Sequence, residues 1–417
     1  MRRKEVPAAT LAPAALATLY GWVLLGSTFS HPGSVGLDLN APGTDWMVFY
    51  GAARSFIGGN LGLIYDGDRF TAYLNSTFSG WLSKPMAYRP WVYPPSYLLA
   101  VLPFGALPFA ASYLLFQLVS AALLAAALSL GSHRSRRRAL VACSALVCPA
   151  ASINVAVGQN AFFSSALLVA GARLLRTRPV VGGALLGVLS VKPQFWMLVP
   201  VALTADRNWT ALGSSVVAAG VLVGLSAGVF GIDAWRQWAD LAVATYSVPN
   251  AKWIEYGRMW GDSVYACLVS SGASEGLANA AQVAAVVIAA TAVYRAFRLP
   301  LPVGHQIAVL LAGTILAAPH SSLHDAVMLA VAATLWIGET AESGASRWKW
   351  WLALSLWLAP LFNPPLIAPI GRLTPVLIVA FIGVIITGGA PRPVSRDPAG
   401  LDNIALGQST GTVAGRG

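Results

Sequence analysis

Charge is scarce in this chain. Of its 417 residues, 10% are charged and 56% are hydrophobic, and the mean hydropathy is +0.65. About 25% of the residues in an ordinary soluble domain are charged, so the composition excludes that class and indicates a polytopic membrane protein. A net charge of +11 would suggest nucleic-acid binding in a soluble protein. Here we attribute it to loops that orient membrane helices, and we expect no nucleic-acid partner.

Cysteine and histidine are also rare, with three and five residues. The odd number of cysteines and their lack of paired spacing predict packing residues, not a disulfide or zinc framework. His320 and His324 are one turn apart if helical, and Asp325 follows them. They resemble metal ligands, but "HSSLHD" lacks the rest of a zinc signature. We therefore favour hydrogen bonding to a substrate phosphate or hydroxyl; no cofactor is predicted, and a metal ion stays an open alternative.

The chain does have long apolar runs. Each predicts a helix, because in lipid a single segment can satisfy its own backbone hydrogen bonds only as a helix. The predicted fold is an all-α polytopic membrane bundle of about 11–12 membrane segments. We assign residues 1–390 to one membrane domain and 391–417 to a flexible cytoplasmic tail. The first run, 7–30, predicts an uncleaved helix because no clear cleavage site follows it. Runs 180–191 and 194–205 predict a buried hairpin broken at "KPQ", because Pro193 interrupts a helix.

The distribution of basic residues predicts the orientation. If the amino terminus is cytoplasmic and the segments alternate, most of the 27 Lys and Arg fall in inner loops, as the positive-inside rule requires. Both termini are then cytoplasmic, and two connections, about residues 31–95 and 231–276, lie outside. Both are rich in aromatic residues, which predicts helices at the headgroup boundary. Their tryptophans are Trp46, Trp81, Trp91, Trp235, Trp238, Trp253 and Trp260.

Asp45 begins an amphipathic stretch in the first outer connection. One interpretation is that Thr44 or Asp45 caps a surface helix, because a carboxylate satisfies free N–H groups and meets the positive end of the helix dipole. The other is that Asp45 is a general base that deprotonates an incoming hydroxyl at the membrane surface. Both can hold, since a cap fixes the position of the carboxylate.

Several other polar residues map to the same predicted outer face. Lys192, in the broken hairpin, either snorkels to the headgroups or contacts a lipid-linked phosphate. Arg89 pairs with either a phosphate or a surface acid. Gln159 and Asn160 interrupt an apolar run, so they predict a turn whose amides can also bond sugar hydroxyls. Tyr93, with the two prolines after it, introduces the next membrane helix.

A family resemblance rests on six stretches in order: "GTDWMVFYGAAR", "GGNLGLIYD", "WVYPPSYLLAVLPFGALP", "VAVGQNAFF", "LLGVLSVKPQFWMLVPVAL" and "SSLHD". Together, from about residue 15 to 385, they resemble glycosyltransferase family 87. These are C-type membrane enzymes that include mycobacterial polyprenol-phosphate-mannose-dependent mannosyltransferases. Residues 231–276 carry no stretch that identifies the acceptor.

The resemblance implies transfer of a hexosyl group from a polyprenyl-phosphate donor to a lipid or glycan hydroxyl. The reaction would take place on the outer face of the cytoplasmic membrane, and mannose is suggested only by the better-known members. Asp45 is implied as the base of an inverting displacement. The candidates for the donor phosphate are Lys192, His324 and Arg89, and those for substrate binding are Tyr93, Gln159, Asn160 and His320. A lipid-phosphate donor also fits the lack of a Gly-rich phosphate loop.

The alternative is a transporter or flippase of lipid-linked sugars. Such a protein would line a path through the bilayer with its ionisable residues. The candidates here cluster on one predicted face, and we therefore favour a reaction over transport.

Overall fold

The predicted all-helical membrane bundle is confirmed. The structure is a computed structural model that describes residues 8–30, 42–130, 135–246, 261–342, 344–362 and 372–388. Within these ranges the chain forms helices and turns, with one isolated antiparallel bridge between Gly261 and Ser322. The predicted tail 391–417 and the tryptophans Trp253 and Trp260 lie outside the described residues.

Four of the described helices are long and apolar enough to cross a membrane. They are α1 (Ala8–Ser30), α5 (Phe109–Ser129), α12 (Trp209–Phe230) and α15 (Glu275–Arg298). A fifth span results if α6 (Ser135–Val147) and α7 (Pro149–Val157) count together despite a bend of 57°. Cys148 precedes Pro149 and is extended, with ψ 158°, because proline disfavours helical geometry in the residue before it.

The other apolar runs form shorter helices, several of them broken by proline or by a turn. Of the expected 11–12 membrane segments, the described residues therefore show four spans by length and composition, or five with the bent pair, and the count stays a prediction. The shorter helices are α4 (Pro95–Val101), α8 (Ala161–Leu174), α9 (Pro179–Val188), α10 (Pro193–Trp196), α11 (Val199–Ala205), α16 (Val303–Ala317), α17 (Val327–Glu342), α18 (Arg347–Trp357) and α19 (Thr374–Gly388).

The described parts of the two connections predicted to lie outside contain several short helices. The first contains α2 (Thr44–Ile57), a 3-10 turn (Leu61–Tyr65) and α3 (Gly67–Thr77). The second contains α13 (Ile232–Tyr246) and α14 (Val264–Ser270). Trp46 and Trp91 are fully buried within the protein, and the placement of these helices at the headgroup boundary stays a prediction. Trp46 stacks on Phe116 at 4.4 Å between ring centroids, and its Nε1 donates to Ser112.

The buried apolar side chains form two cores. The larger lies among α8, α11 and α15 to α17, and the smaller, which is rich in aromatic rings, lies among α2, α4 and α5. The predicted break of the short hairpin is present: a 3-10 turn (Leu189–Val191) leads to Lys192, and α10 begins at Pro193. Leu189 belongs to the larger core and Val191 to the smaller, so Lys192 lies where the two cores meet.

Candidate functional site

Asp45 lies in the first turn of α2 and is 9% exposed. The residue before the helix is Gly43, in a left-handed conformation with φ 75° and without a side-chain cap. The interpretation of Thr44 or Asp45 as the cap of a surface helix is therefore wrong, because Gly43 occupies that position and α2 is mostly buried. The positive end of the helix dipole still favours a carboxylate in this turn.

The "VGQN" turn holds the Asp45 carboxylate. Gly158 ends α7 with φ 78°, and a Cβ there would lie 2.6 Å from the Cβ of Trp46. Only glycine combines that backbone with so close an approach, which brings the turn against the start of α2. Gln159 Nε2 donates to Asp45 Oδ2 at 3.1 Å. The expected turn is present, and one of its amides supports the predicted base.

Tyr93 and Asn160 extend this network. The Tyr93 hydroxyl donates to Gln159 Oε1 at 3.3 Å and accepts from Asn160 Nδ2 at 3.4 Å. Burial raises the pKa of Tyr93 well above its ordinary value, so the phenol stays protonated and keeps its role as a donor. Behind the turn, Gln117 Nε2 donates to the Gln159 carbonyl, and Asn154 Nδ2 donates to Gln117 Oε1, both at 3.0 Å. These buried amides fix the orientation of the turn.

Arg89 is the cation nearest to Asp45, with 3.9 Å between its Nε and Asp45 Oδ1. Its backbone N–H donates to Thr71 Oγ1 at 3.0 Å, which ties this extended segment to α3. The Arg89 side chain is 22% exposed. Of the two partners expected for Arg89, the structure provides an acid.

Lys192 and Asp325 form a buried ion pair. Lys192 is 3% exposed, and its Nζ donates to Asp325 Oδ1 at 3.0 Å. This is not the geometry of a lysine that snorkels to the headgroups. Asp325 also closes a 3-10 turn (Leu323–Ala326), where its Oδ2 accepts from the Ser322 backbone at 3.2 Å.

His324 is buried against the same carboxylate, with 3.5 Å between its Nε2 and Asp325 Oδ2. Burial lowers the pKa of His324, although the charges of Asp325 and Asp45 act in the opposite direction. Burial is the largest influence on Asp325 and raises its pKa, but Lys192, His324 and the Ser322 backbone N–H together outweigh it, so the pKa lies below its ordinary value. His320 is exposed and precedes the 3-10 turn, so the two histidines are not one helical turn apart.

The two groups of residues face one another. Lys192 Nζ lies 6.0 Å from the centre of the Tyr93 ring and 4.5 Å from that of Phe195. The negative charges of Asp325 and Asp45 also raise the pKa of Tyr93, so both carboxylates are near its hydroxyl. The structure therefore brings seven of the predicted site residues into one region, whereas His320 is exposed at the start of the neighbouring turn. Within the described ranges, no group of three His, Cys, Asp or Glu could hold a metal ion.

Asp262, which the sequence did not single out, adds another acid beside this region. It is 2% exposed, and its backbone N–H donates to the Ser321 carbonyl at 3.1 Å. Burial raises the pKa of Asp262 to about 7, with Asp325 contributing and Arg372 opposing. Arg372 Nη1 donates to the Ala266 carbonyl at 3.0 Å. The end of the second outer connection, the 318–326 segment and the start of α19 therefore meet here.

Comparison with known proteins gives one family. The family model for Glycosyltransferase family 87 matches residues 91–323, just over half of the 417 residues. The chain belongs to glycosyltransferase family 87. No curated protein and no solved structure matches it. Membership favours the enzyme over the transporter or flippase, because the family transfers sugars from a donor to an acceptor.

The matched region of this family 87 glycosyltransferase contains Tyr93, Gln159, Asn160 and Lys192. Asp45 precedes it and His324 directly follows it. Their roles therefore depend on the geometry and not on the match.

Four residues with a place in the site were missed in the sequence. Asp325 was noted only as a neighbour of His324, and nothing in the sequence pairs it with Lys192, 133 positions away. Gln117 and Asn154 are single amides within apolar runs, and that rarity is a signal that could have found them. Asp262 lies in a loop without a recognisable motif, and only its burial distinguishes it.

Proposed function

We propose that the enzyme transfers a hexosyl group from a polyprenyl-phosphate donor to a hydroxyl of a lipid or glycan, on the outer face of the cytoplasmic membrane. The observation that carries this proposal is the buried Asp45 carboxylate, oriented by Gln159 and facing the cluster of Lys192, Asp325 and His324. A carboxylate beside cationic and hydrogen-bonding groups suits the attack of a hydroxyl on a sugar that bears an anionic leaving group.

The reaction is a single inverting displacement. Asp45 accepts the proton of the acceptor hydroxyl while the hydroxyl oxygen bonds to the anomeric carbon of the donor sugar. The bond from that carbon to the phosphate oxygen breaks, and polyprenyl phosphate leaves with the electron pair. Asp45 then releases its proton to water, and one inverted glycosidic bond has formed.

The phosphate would lie against Lys192, His324 and Arg89. An ammonium group has three donors, so Lys192 can keep its bond to Asp325 and still donate to a phosphate oxygen. His324, whose pKa is lowered, offers an N–H without adding charge. Arg89 contributes a full charge beside Asp45. The positive groups thus surround the leaving oxygen, where negative charge develops.

Sugar hydroxyls would contact Tyr93, Gln159 and Asn160. Asn160 is 1% exposed, and its Oδ1 has no partner at hydrogen-bonding geometry in the described part of the chain. Such an oxygen can accept from a hydroxyl that enters the site. His320 is exposed, and we assign it only to the edge of the site, where an acceptor would approach.

The test is transfer by purified full-length enzyme from a panel of labelled polyprenyl-phosphate hexoses to extracted membrane lipids, with nucleotide sugars as a second donor panel. We expect product only with the lipid-linked donors. In Asp45→Asn the rate should fall by about 10²- to 10⁴-fold, the contribution of a positioned general base. The melting temperature should be unchanged, because asparagine can still accept from Gln159.

The matched control is Asp233→Asn, an exposed acid on α13 whose carboxylate pairs with Arg236 at 2.8 Å. It should transfer at the wild-type rate. Full activity in Asp45→Asn would remove that residue from the mechanism, and product from nucleotide sugars alone would reject the donor class.

The side of the membrane has its own test. Ser79 is exposed and follows α3 in the same outer connection as Asp45. In a cysteine-free background, Ser79→Cys should react with a membrane-impermeant maleimide in intact cells. Reaction only after the cells are opened would put this connection in the cytoplasm and reject the proposed location.

A further inference from the structure

Asp262 and Ser321 form a pair of buried polar groups beside the reaction centre. They are 2% and 3% exposed, and their backbones are joined by the hydrogen bond from Asp262 to Ser321. The neighbouring residues Gly261 and Ser322 form the antiparallel bridge described above. The pair is therefore held by main-chain contacts between two segments, independently of its side chains.

Neither side chain uses its full hydrogen-bonding capacity. The Ser321 hydroxyl lies close enough to Asp262 to act as a hydrogen-bond donor that lowers its pKa. Nevertheless, Asp262 Oδ1 and Ser321 Oγ have no partner at hydrogen-bonding geometry among the described residues. A buried polar atom without a partner costs about 1–3 kcal/mol, so such atoms are uncommon unless another molecule completes them. Two adjoining ones suit a polar group that can contact both.

The surroundings limit what that group can be. The carboxylate of Asp325 contributes to the raised pKa of Asp262, whereas Arg372 partly offsets it. A second anion such as phosphate would therefore be repelled by two acids. A neutral hydroxyl suits both atoms, because it can donate to the carboxylate and accept from the serine.

We propose that Asp262 and Ser321 bind one hydroxyl of a sugar that takes part in the transfer reaction, a role that rests on the proposed function. The pair adjoins the turn that carries His324 and Asp325, so a hydroxyl bound there would lie beside the proposed phosphate-binding residues. The hydroxyl belongs to either the transferred hexose or the acceptor, and the experiment distinguishes the two.

The experiment compares wild type, Asp262→Asn and Ser321→Ala in full-length enzyme with the active donor and acceptor and with monodeoxy derivatives of each. In wild type, one derivative should show an apparent KM about ten- to a hundredfold higher, the effect of losing a hydrogen bond to a charged group. In Asp262→Asn the same derivative and the parent sugar should differ by less than about threefold. A sensitive deoxy donor assigns the transferred sugar, and a sensitive deoxy acceptor assigns the acceptor.

The pH profile gives a readout that a merely structural role would not move. A carboxylate accepts more strongly than a carboxylic acid, so parent-sugar affinity in wild type should rise as pH increases through about 7, the pKa of Asp262. Asp325 and Arg372 are unchanged in Asp262→Asn, so loss of that rise isolates Asp262. Asp233→Asn, the exposed control, should keep the wild-type profile.

The inference is overturned if every deoxy derivative is discriminated equally by wild type and Asp262→Asn, as expected when only water fills the pair. If Asp262→Asn does not fold, Ser321→Ala gives the same comparison. If wild type uses no polyprenyl-phosphate donor, the proposed function fails separately. In that case the melting temperature is measured with methyl glycosides of the common hexoses in sugar-free detergent. A rise in wild type that is lost in Asp262→Asn supports sugar binding by the pair, and equal rises in both proteins overturn it.

Discussion

Asp45 and Asp325 are both buried carboxylates of one site, yet their partners differ in kind. Asp45 accepts from a neutral amide at 3.1 Å, and its cation is 3.9 Å away on a partly exposed side chain. Asp325 has an ammonium at 3.0 Å, a histidine at 3.5 Å and a backbone N–H at 3.2 Å. Asp45 is thus oriented mainly by a neutral amide, whereas the carboxylate oxygens of Asp325 are held by close contacts with three neighbouring groups.

This difference suits the different roles that we propose for the two acids. A base must have an oxygen that can take a proton from substrate, and the few partners of Asp45 leave room for such a contact. The lowered pKa of Asp325 makes it a poor proton acceptor, and its contacts make it a positioning residue for Lys192 and His324. Changes near Asp45 should therefore reduce chemistry with little loss of stability, whereas changes near Asp325 should reduce stability first.

The greatest loss is expected for Lys192→Met. Methionine keeps the length of the side chain but leaves the Asp325 carboxylate buried without its cation. Breaking one side of a buried ion pair costs about 3–5 kcal/mol of unfolding free energy. We expect a marked fall in melting temperature in detergent, together with weaker use of the lipid-phosphate donor.

The control for Lys192→Met is the double variant Lys192→Met/Asp325→Asn. It removes both charges, and the asparagine can still accept from the Ser322 backbone. It should regain most of the melting temperature without regaining donor affinity. Equal melting temperatures of the single and double variants would show that an unpaired Asp325 carboxylate does not destabilise the protein as expected.

A second, smaller effect is expected for Gln159→Glu. The substitution places a second carboxylate at the position of an amide that lies 3.1 Å from Asp45. Two adjacent carboxylates resist ionisation together, so the apparent pKa of the pair rises. Because the base works when ionised, transfer at pH 7 should fall about tenfold and recover as pH is raised toward about 8.5.

Gln237→Glu is the matched control for the added charge, because Gln237 is exposed on α13. It should leave the pH profile of transfer unchanged. A Gln159→Glu enzyme with the wild-type profile would contradict the contact between Gln159 and the base.

The sequence predicted those parts of the fold and site that depend on local chemistry. Apolar runs and prolines predicted the helical bundle and the break before Pro193, because a helix cannot continue normally through proline. The full burial of Trp46 has a tertiary cause. An aromatic residue in an outer connection suits the headgroup boundary, but here Phe116 and Ser112 of α5 bury and bond the indole.

The pairings within the site could not be predicted, because they join distant positions. Asp45 and Gln159 are 114 residues apart, and Lys192 and Asp325 are 133 apart. Sequence chemistry nominated members of both pairs as single residues with an unusual charge or polarity for their surroundings. Only the packing of α2 against the Gly158 turn, and of the Lys192 break against the 3-10 turn, decides which groups meet.

The smallest effect is expected for Tyr93→Phe. The lost hydroxyl makes two long hydrogen bonds, 3.3 Å to Gln159 and 3.4 Å to Asn160, while the ring would keep its stacking on Tyr97 at 4.5 Å between centroids. Each such bond contributes about 0.5–1.5 kcal/mol, so transfer should fall about three- to tenfold through a less well oriented Gln159. Tyr50→Phe removes a hydroxyl that donates to the Leu107 carbonyl at 3.0 Å in the same aromatic core. It should lower stability by a similar amount and leave kcat unchanged. If the two variants have the same kcat, Tyr93 belongs to the packing of the core and not to the orientation of the base.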